Sequence, residues 1–314
     1  MPDNVADLGE FGLIAAVTER LPQGGFVALG PGDDSAVINA PDGRVVAATD
    51  LLVENRHFRR DWSSAYDIGR KAAAQNLADV AAMGARPTAL LFGLGAPADL
   101  PVDWVLELAD GLRDESEPLG ASVAGGDTVR SDPVIVAVTA LGDLGGRAPV
   151  TRAGAQAGDV VAVCGRLGWA EAGFRVLSRG FRTPRILVDA HRRPEVPYDA
   201  GPEASELGAT AMCDVSDGLL ADLGHIAAAS RVAIDVRTDG IDMPDPIREI
   251  AGALGADPMH WILTGGDDNA LVATFPAAAV LPERWRVIGR ASVGEGVTVD
   301  GVAYEGPGGH VHFA

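Results

Sequence analysis

The sequence predicts a two-domain protein of mixed α and β structure, α/β or α+β in each half. Three observations carry this. The chain has 314 residues, enough for two domains of about 150 residues each. Apolar runs with strand character interleave with helically spaced runs in both halves. A stretch rich in Gly, Pro and Arg, Gly145–Asp159 (GGRAPVTRAGAQAGD), interrupts that pattern near the middle. The expected division is therefore residues 1–148 and 149–314.

The elements follow in order. Asp7 to Arg20 has helical spacing through Leu8, Phe11, Ile14 and Ala15. Arg44–Asp50 (RVVAATD) reads as a strand ending in a carboxylate. Tyr66–Gly84 is a long Ala-rich helix, stopped by Gly84 and then Pro87. Ala89–Leu94 is a buried strand, and Pro101–Gly120 an amphipathic helix with Pro at its start. Pro133–Leu144 is another strand. Beyond the boundary come a strand (VVAVCG), a helix (GWAEAGFRVLSRG) and a polar connector (HRRPEVPYDAGP) that leads to a short helix. AMCDVS reads as a strand running into the helix DGLLADLGHIAAAS, with Ser216 as its N-cap. VAIDV, LVATF and RVIGR are the later strands.

Composition excludes several classes. The 47% hydrophobic fraction supports packed cores and rules out a disordered chain. A formal charge of −19 with no basic stripe argues against nucleic acid. No apolar run reaches the roughly 20 residues of a membrane span, and the acidic N-terminus lacks signal-peptide order. A soluble, cytoplasmic protein is expected. Cys164 and Cys213 both fall in strand-like runs and read as buried thiols. No P-loop, dinucleotide fingerprint, nucleophile elbow or zincin motif is present.

The chemistry sits in the carboxylates. Gly-Asp signatures occur in GPGDDSAV (Gly30–Val37), AGGDTV (Ala124–Val129) and LTGGDDNAL (Leu263–Leu271). Alone, each reads as turn chemistry. Together with Asp50, Asp79, Asp214 and Asp217 they place many Asp residues at the ends of apolar runs, where function is grafted onto a scaffold. Asn76 and Asp79 share one face of an otherwise apolar helix. Oxygen ligands without His or Cys clusters suit Mg²⁺, Mn²⁺ or Ca²⁺ rather than zinc. Converging carboxylates need cations among them, an arrangement that fits a polyphosphate held by bridging metal. A helix start beside glycine turns also favours phosphate oxygens.

These motifs resemble the thiamine-monophosphate kinase family, within the superfamily of aminoimidazole ribonucleotide synthetase and selenophosphate synthetase. The resemblance runs nearly end to end: LGEFGLI, LGPGDDSAV, ATDLLVENRHF, GRKAAAQNLADVAAMGA, GGDTV, GRAPVTRAGAQAGD, DVSDGLLADLGHIA and GGDDNALV, in the family's order. It implies the aminoimidazole ribonucleotide synthetase-like fold. The N-terminal domain would bind ATP and metal and join its sheet to a second copy's in a homodimer barrel; an α/β C-terminal domain would follow. It implies transfer of the γ-phosphoryl group of ATP to thiamine monophosphate, with several Mg²⁺ ions and no covalent nucleophile. Implied metal ligands are Asp33, Asp34, Thr49, Asp50, Asp79, Asp127, Asp214 and Asp217. Gly126, Asp127, Arg152 and Ser216 would contact ATP. His57, Asp267 and His310 would contact substrate.

The chain departs from the family at three places. The late Gly-Gly-Glu-Asp of the family is Gly265-Gly266-Asp267-Asp268 here, so Asp267 reaches one methylene less far. His310 stands at about the place of an aromatic that packs on thiamine. Ala48 replaces a frequent Ser. Two other readings use the same residues: a related enzyme acting on another small phosphorylated heterocycle, or a non-catalytic metal- or nucleotide-binding dimer. The complete Asp set on the ATP side favours an enzyme over the latter.

Overall fold

The computed structural model describes residues 4–32, 35–306 and 308–310. It divides into two compact units, one of residues 1–80 and 85–146, the other of residues 81–84 and 147–314.

The N-terminal unit opens with two helices where one was expected, α1 (Val5–Leu8) and α2 (Glu10–Thr18). Gly9 separates them at φ +74°, a conformation that ends a helix and is cheap only for glycine. Strands β1 (Val27–Leu29) and β2 (Val37–Ile38) form a small antiparallel pair. The main sheet has four strands in the order β3-β6-β4-β5: β3 (Val46–Val53), β4 (Arg86–Ala96), β5 (Ser122–Arg130) and β6 (Ile135–Asp143). Only β4 and β5 run parallel. Helix α4 (Val102–Ser116) makes the crossover between them, as a parallel pair requires. Helix α3 (Ala65–Ala82) links β3 to β4. It needs its alanines. At the α3–α4 crossing a Cβ on Gly69 would lie 2.1 Å from the Leu108 carbonyl oxygen, so the backbones nearly touch.

The pleat sorts this sheet's side chains. Val136, Val138, Ala140, Leu90 and Leu52 are buried, whereas Ala47, Thr49 and Leu51 are exposed on the opposite face. Two sequence expectations change here. Strand β3 does not stop at Asp50; aliphatic Leu51, Leu52 and Val53 continue the pairing with β6 as far as Ile135. Gly125-Gly126-Asp127 is not a turn but lies inside β5. A Cβ on Gly126 would fall 1.9 Å from the Phe92 carbonyl oxygen of the neighbouring strand, so glycine there serves strand contact.

The C-terminal unit is built on a seven-stranded sheet, order β13-β12-β9-β11-β7-β10-β8. Its strands are β7 (Val160–Cys164), β8 (Ala211–Val215), β9 (Ala233–Val236), β10 (Ala270–Phe275), β11 (Arg286–Ser292), β12 (Gly296–Val299) and β13 (Val302–Ala303). All pairs are antiparallel except β9 with β12. Helices α5 (Trp169–Ser178), α6 (Arg185–Arg192), α7 (Ala200–Glu206), α8 (Leu219–Ser230), α9 (Asp245–Leu254) and α10 (Pro258–Thr264) complete it. Strands β7, β8 and β10 are buried on both faces. Val161, Val163, Cys213, Val215 and Val272 join the core that includes α8. Ala162, Cys164, Met212, Leu271 and Phe275 join a second core with α7 and Trp285. The two cysteines therefore face opposite cores from strands on either side of β10, two strand spacings or about 10 Å apart. Both are free and buried, as expected. Among the described residues no helix is long and apolar enough to cross a membrane.

Candidate functional site

In the N-terminal unit the backbone of Asp50 is tied to the face of α3 that carries Asn76, three residues before Asp79. The Asp50 backbone N–H donates to Asn76 Oδ1 at 3.0 Å, and the Asn76 amide donates to the Ala72 carbonyl at 2.9 Å. Asn76 is only 1% exposed. This answers how a polar group survives in an Ala-rich helix: it ties α3 to β3. Asp79 follows one turn later and is half-buried. Thr49 points to the opposite face of the sheet. Its hydroxyl donates to the Val138 carbonyl at 3.0 Å and lies 2.9 Å from Thr139 Oγ1. Asp127 is exposed on edge strand β5, accepting the Thr128 N–H at 2.9 Å. That face carries a cavity of about 860 Å³, lined by Gly126, Asp127 and Thr139 on its polar side and by Phe11, Leu13 and Leu91 on its apolar side. Its size and mixed lining suit a nucleotide. Gly30, Pro31, Gly32 and Ser35 also line it. Asp33 and Asp34 lie outside the described residues. His57, just beyond β3, accepts the Val53 N–H on Nδ1 at 3.0 Å. Its neutral tautomer therefore carries the proton on Nε2.

In the C-terminal unit three segments converge at one end of the sheet. The first is Ser216–Gly218, after β8. The second is Gly265–Asn269, before β10. Its Asp267 N–H donates to the Ser216 carbonyl at 2.9 Å and its Asn269 N–H to the Val215 carbonyl at 3.0 Å. A Cβ on Gly266 would lie 2.2 Å from the Ser216 carbonyl oxygen, so the zipper tolerates only glycine. The left-handed positions of this turn belong to Asp267 (φ +67°) and Asn269 (φ +49°), not to its glycines. The third segment is Gly308–His310: the His310 N–H donates to the Asp217 carbonyl at 2.9 Å, and the Gly308 carbonyl accepts the Ala221 N–H at 3.1 Å.

The structure thus brings Ser216, Asp217, Asp267 and His310 together. Asp214 is buried on β8, opposite Leu271 of β10. Ser216 is not an N-cap. Helix α8 begins at Leu219 with Gly218 as its cap, two residues beyond Ser216. Asp222 does the capping from within the helix, with Oδ2 accepting the N–H groups of Asp217 and Gly218 at 3.1 Å each. Burial pushes the Asp222 carboxyl up to about 6 against the pull of those amides, the Asp217 charge adding to the push and the Arg152 charge opposing it. Arg152 therefore acts on the same locality. Asp217, Asp222 and His225 also have ligand atoms within 4.8 Å of one another, the one such group of three among the described residues. Asp50, Asp79 and Asp127 do not form one.

Apart from the His225 imidazole beside Asp217 and Asp222, the candidate donors are oxygens of Asp and Thr, and the Thr49 hydroxyl keeps a lone pair after donating its proton. That chemistry fits Mg²⁺ better than a soft metal. Three residues escaped the sequence reading in their roles: Asn76 as the tie to Asp50, Asp222 as the cap beneath Asp217, and Asp268. Asp222 sits in the quoted run DVSDGLLADLGHIA, and a carboxylate five residues beyond another at a helix start is the signal for it.

Fold and site define a class: an AIR synthase-related α/β protein carrying acidic, glycine-rich loops. Residues 32–144 match the family described as AIR synthase related protein, N-terminal domain. The thiamine-monophosphate kinase of Mycobacterium tuberculosis is 48% identical over 308 residues, covering 98% of this chain and 92% of that protein. The thiamine-monophosphate kinase of Corynebacterium glutamicum is 42% identical over 296 residues, with 92% and 87% covered. A solved structure of AaThiL complexed with AMPPCP and TMP superposes with a TM-score of 0.82 at 32% identity, covering 98% of each chain. The chain belongs to the thiamine-monophosphate kinase family.

Proposed function

We propose that this chain transfers the γ-phosphoryl group of ATP to the phosphate of thiamine monophosphate, releasing ADP and thiamine diphosphate. The observation that carries the reading is the convergence of Ser216, Asp217, Asp267 and His310 on three mutually hydrogen-bonded segments. The similarity to AaThiL, complexed with AMPPCP and TMP, supports both substrates.

The transfer is in-line. A bond forms from an acceptor phosphate oxygen to the γ-phosphorus while the bond to the ADP oxygen breaks. The second ionisation of a phosphate monoester lies near about 6, so the acceptor is largely deprotonated at neutral pH and needs no strong base. The difficulty is to bring two polyanions together, and positioning with electrostatics meets it. Several Mg²⁺ ions, when bound, would neutralise and align the phosphates. Thr49, Asp50, Asp79, Asp127, Asp214 and Asp217 would hold them, with Asp33 and Asp34. In the N-terminal unit the cavity beside Gly126 and Asp127 receives ATP. Arg152 offers a guanidinium fork to its phosphates, and Ser216 a hydroxyl. The α8 N-terminus adds the partial positive charge of its amides. His57 Nε2–H, Asp267 and His310 orient thiamine monophosphate.

The enzyme works in the cytoplasm as a homodimer. The open face of the four-stranded sheet, with exposed Leu51, Leu91 and Val129, joins that of a second copy. A coupled ADP-release assay tests the reaction. ADP release must require both thiamine monophosphate and Mg²⁺, and stop with EDTA. Equal release without thiamine monophosphate, or preference for another phosphorylated heterocycle, sinks it.

A further inference from the structure

Asp268 is 4% exposed, and nothing above gives it a part in the reaction. Its Oδ1 accepts the Ala170 N–H at 2.8 Å, across 98 residues of sequence. Ala170 lies in the first turn of α5, whose own N-cap, Gly168, has no side chain to offer. The amides of Gly168 and Trp169 also act on this carboxyl. Asp268 is therefore the cap of α5, supplied from a distant loop. Its Oδ2 is buried and makes no hydrogen bond. A carboxylate this enclosed is expensive to keep, so what it holds matters.

What it holds is the turn. Asp268 lies between Asp267 and Asn269, both left-handed without being glycine. Such conformations persist only where surroundings over-determine them. Backbone hydrogen bonds to Val215 and Ser216 fix one side of the turn, and the bond from α5 fixes the other. The helix end is itself seated: a Cβ on Gly168 would lie 2.9 Å from Ile262 Cα of α10, the helix that leads into the turn. The clamp thus closes a ring of α10, turn and α5. The carboxylate of Asp267 is aimed by a backbone that this ring holds. One other carboxylate bears on Asp268, that of Asp267; Glu171, paired to Arg175 at 2.6 Å, packs against Gly265, where an added Cβ would lie 2.6 Å from Glu171 Cβ.

We propose that Asp268 is the positioning residue of the substrate-facing turn, clamping it to the α5 N-terminus so that Asp267 is held in its left-handed, substrate-directed conformation. This rests on the reading of Asp267 as a substrate contact. A remote misplacement of about 1 Å can lower reactivity by orders of magnitude, so the loss is measurable.

The test compares Asp268→Ala and Asp268→Asn with the unaltered chain, by steady-state kinetics and by amide exchange of the 265–269 turn. Asparagine keeps an acceptor for the Ala170 N–H, and alanine does not. Alanine is expected to raise KM for thiamine monophosphate by about tenfold or more while KM for ATP moves less than about twofold. It is also expected to speed exchange at Asp267 and Asn269, with β8 unchanged. Asparagine is expected to restore both. Equal changes in the two KM values, or unchanged exchange in the turn, overturn the proposal, as does asparagine behaving like alanine. If alanine does not fold, asparagine alone decides: a KM for thiamine monophosphate raised tenfold overturns it. If the unaltered chain does not turn over thiamine monophosphate, the reaction assignment fails, and exchange in the turn still decides whether Asp268 holds it.

Discussion

At the residue scale the decisive groups are carboxylates in unlike settings. Asp217 sits at a helix start beside an amide-bonded Asp222, and Asp127 is exposed on an edge strand. Replacing Asp217 by Asn keeps the shape and removes the charge. It is expected to lower kcat at least about a hundredfold, as loss of one electrostatic partner of the transition state does, with an unchanged melting temperature. Activity within a few fold would remove Asp217 from the metal set. Asp268 gives a pH signature. Burial raises its carboxyl from 3.8 to about 7, so the folded state binds its proton more tightly than the unfolded chain. That contribution to stability is complete below about 4 and is lost as pH rises through about 7. Asp268→Asn is expected to flatten this fall in thermal stability between pH 4 and 7, read by melting across pH. An unchanged slope contradicts it. The Gly265–Asn269 turn was legible in sequence because turn chemistry is local. Asp268 was not: its partner, Ala170, is 98 residues away.

At the element scale, strands and helices aim these groups. Helix α8 starts where Asp222 reaches back to the amides of Asp217 and Gly218. Asp222→Ala leaves those two donors, on half-buried Asp217 and buried Gly218, without their carboxylate partner. It is expected to destabilise the protein by about 1–3 kcal/mol, measured by chemical denaturation, and to loosen the Ser216–Gly218 segment. No loss of stability would show that the cap is idle. Most elements were readable from periodicity, including α3, α8 and the buried strands of the C-terminal sheet. The exceptions differ in cause. One helix became two because Gly9 takes a positive φ. The Gly125–Asp127 run was read as a turn but is strand, because its glycines answer to the Phe92 backbone of another strand. Helix α6 (Arg185–Arg192) went unread because its charged, Arg-rich face lacks a long apolar run. A contact distant in sequence decided the β5 case, and local backbone or composition decided the other two.

At the scale of the whole molecule, each of the two compact units carries its own set of acidic residues, Asp50, Asp79 and Asp127 in one and Asp214, Asp217, Asp222 and Asp267 in the other. The four-stranded sheet is covered by helices on one face and bears exposed Leu51, Leu91 and Val129 on the other. Sedimentation is expected to give twice the chain mass of 32.3 kDa, and Leu51→Glu to give monomer with reduced turnover. A monomeric unaltered chain would contradict the dimer. The mixed α/β class was legible from length and interleaved patterns, whereas the convergence of three C-terminal segments was not, because it depends on carbonyl-to-amide bonds that any residue can make. The most direct test of the function is ³¹P NMR of the chain with ATP, Mg²⁺ and thiamine monophosphate. The expected result is thiamine diphosphate accumulating in step with ADP, with no build-up of inorganic phosphate. ADP with inorganic phosphate alone, or an unchanged thiamine monophosphate signal, would contradict it.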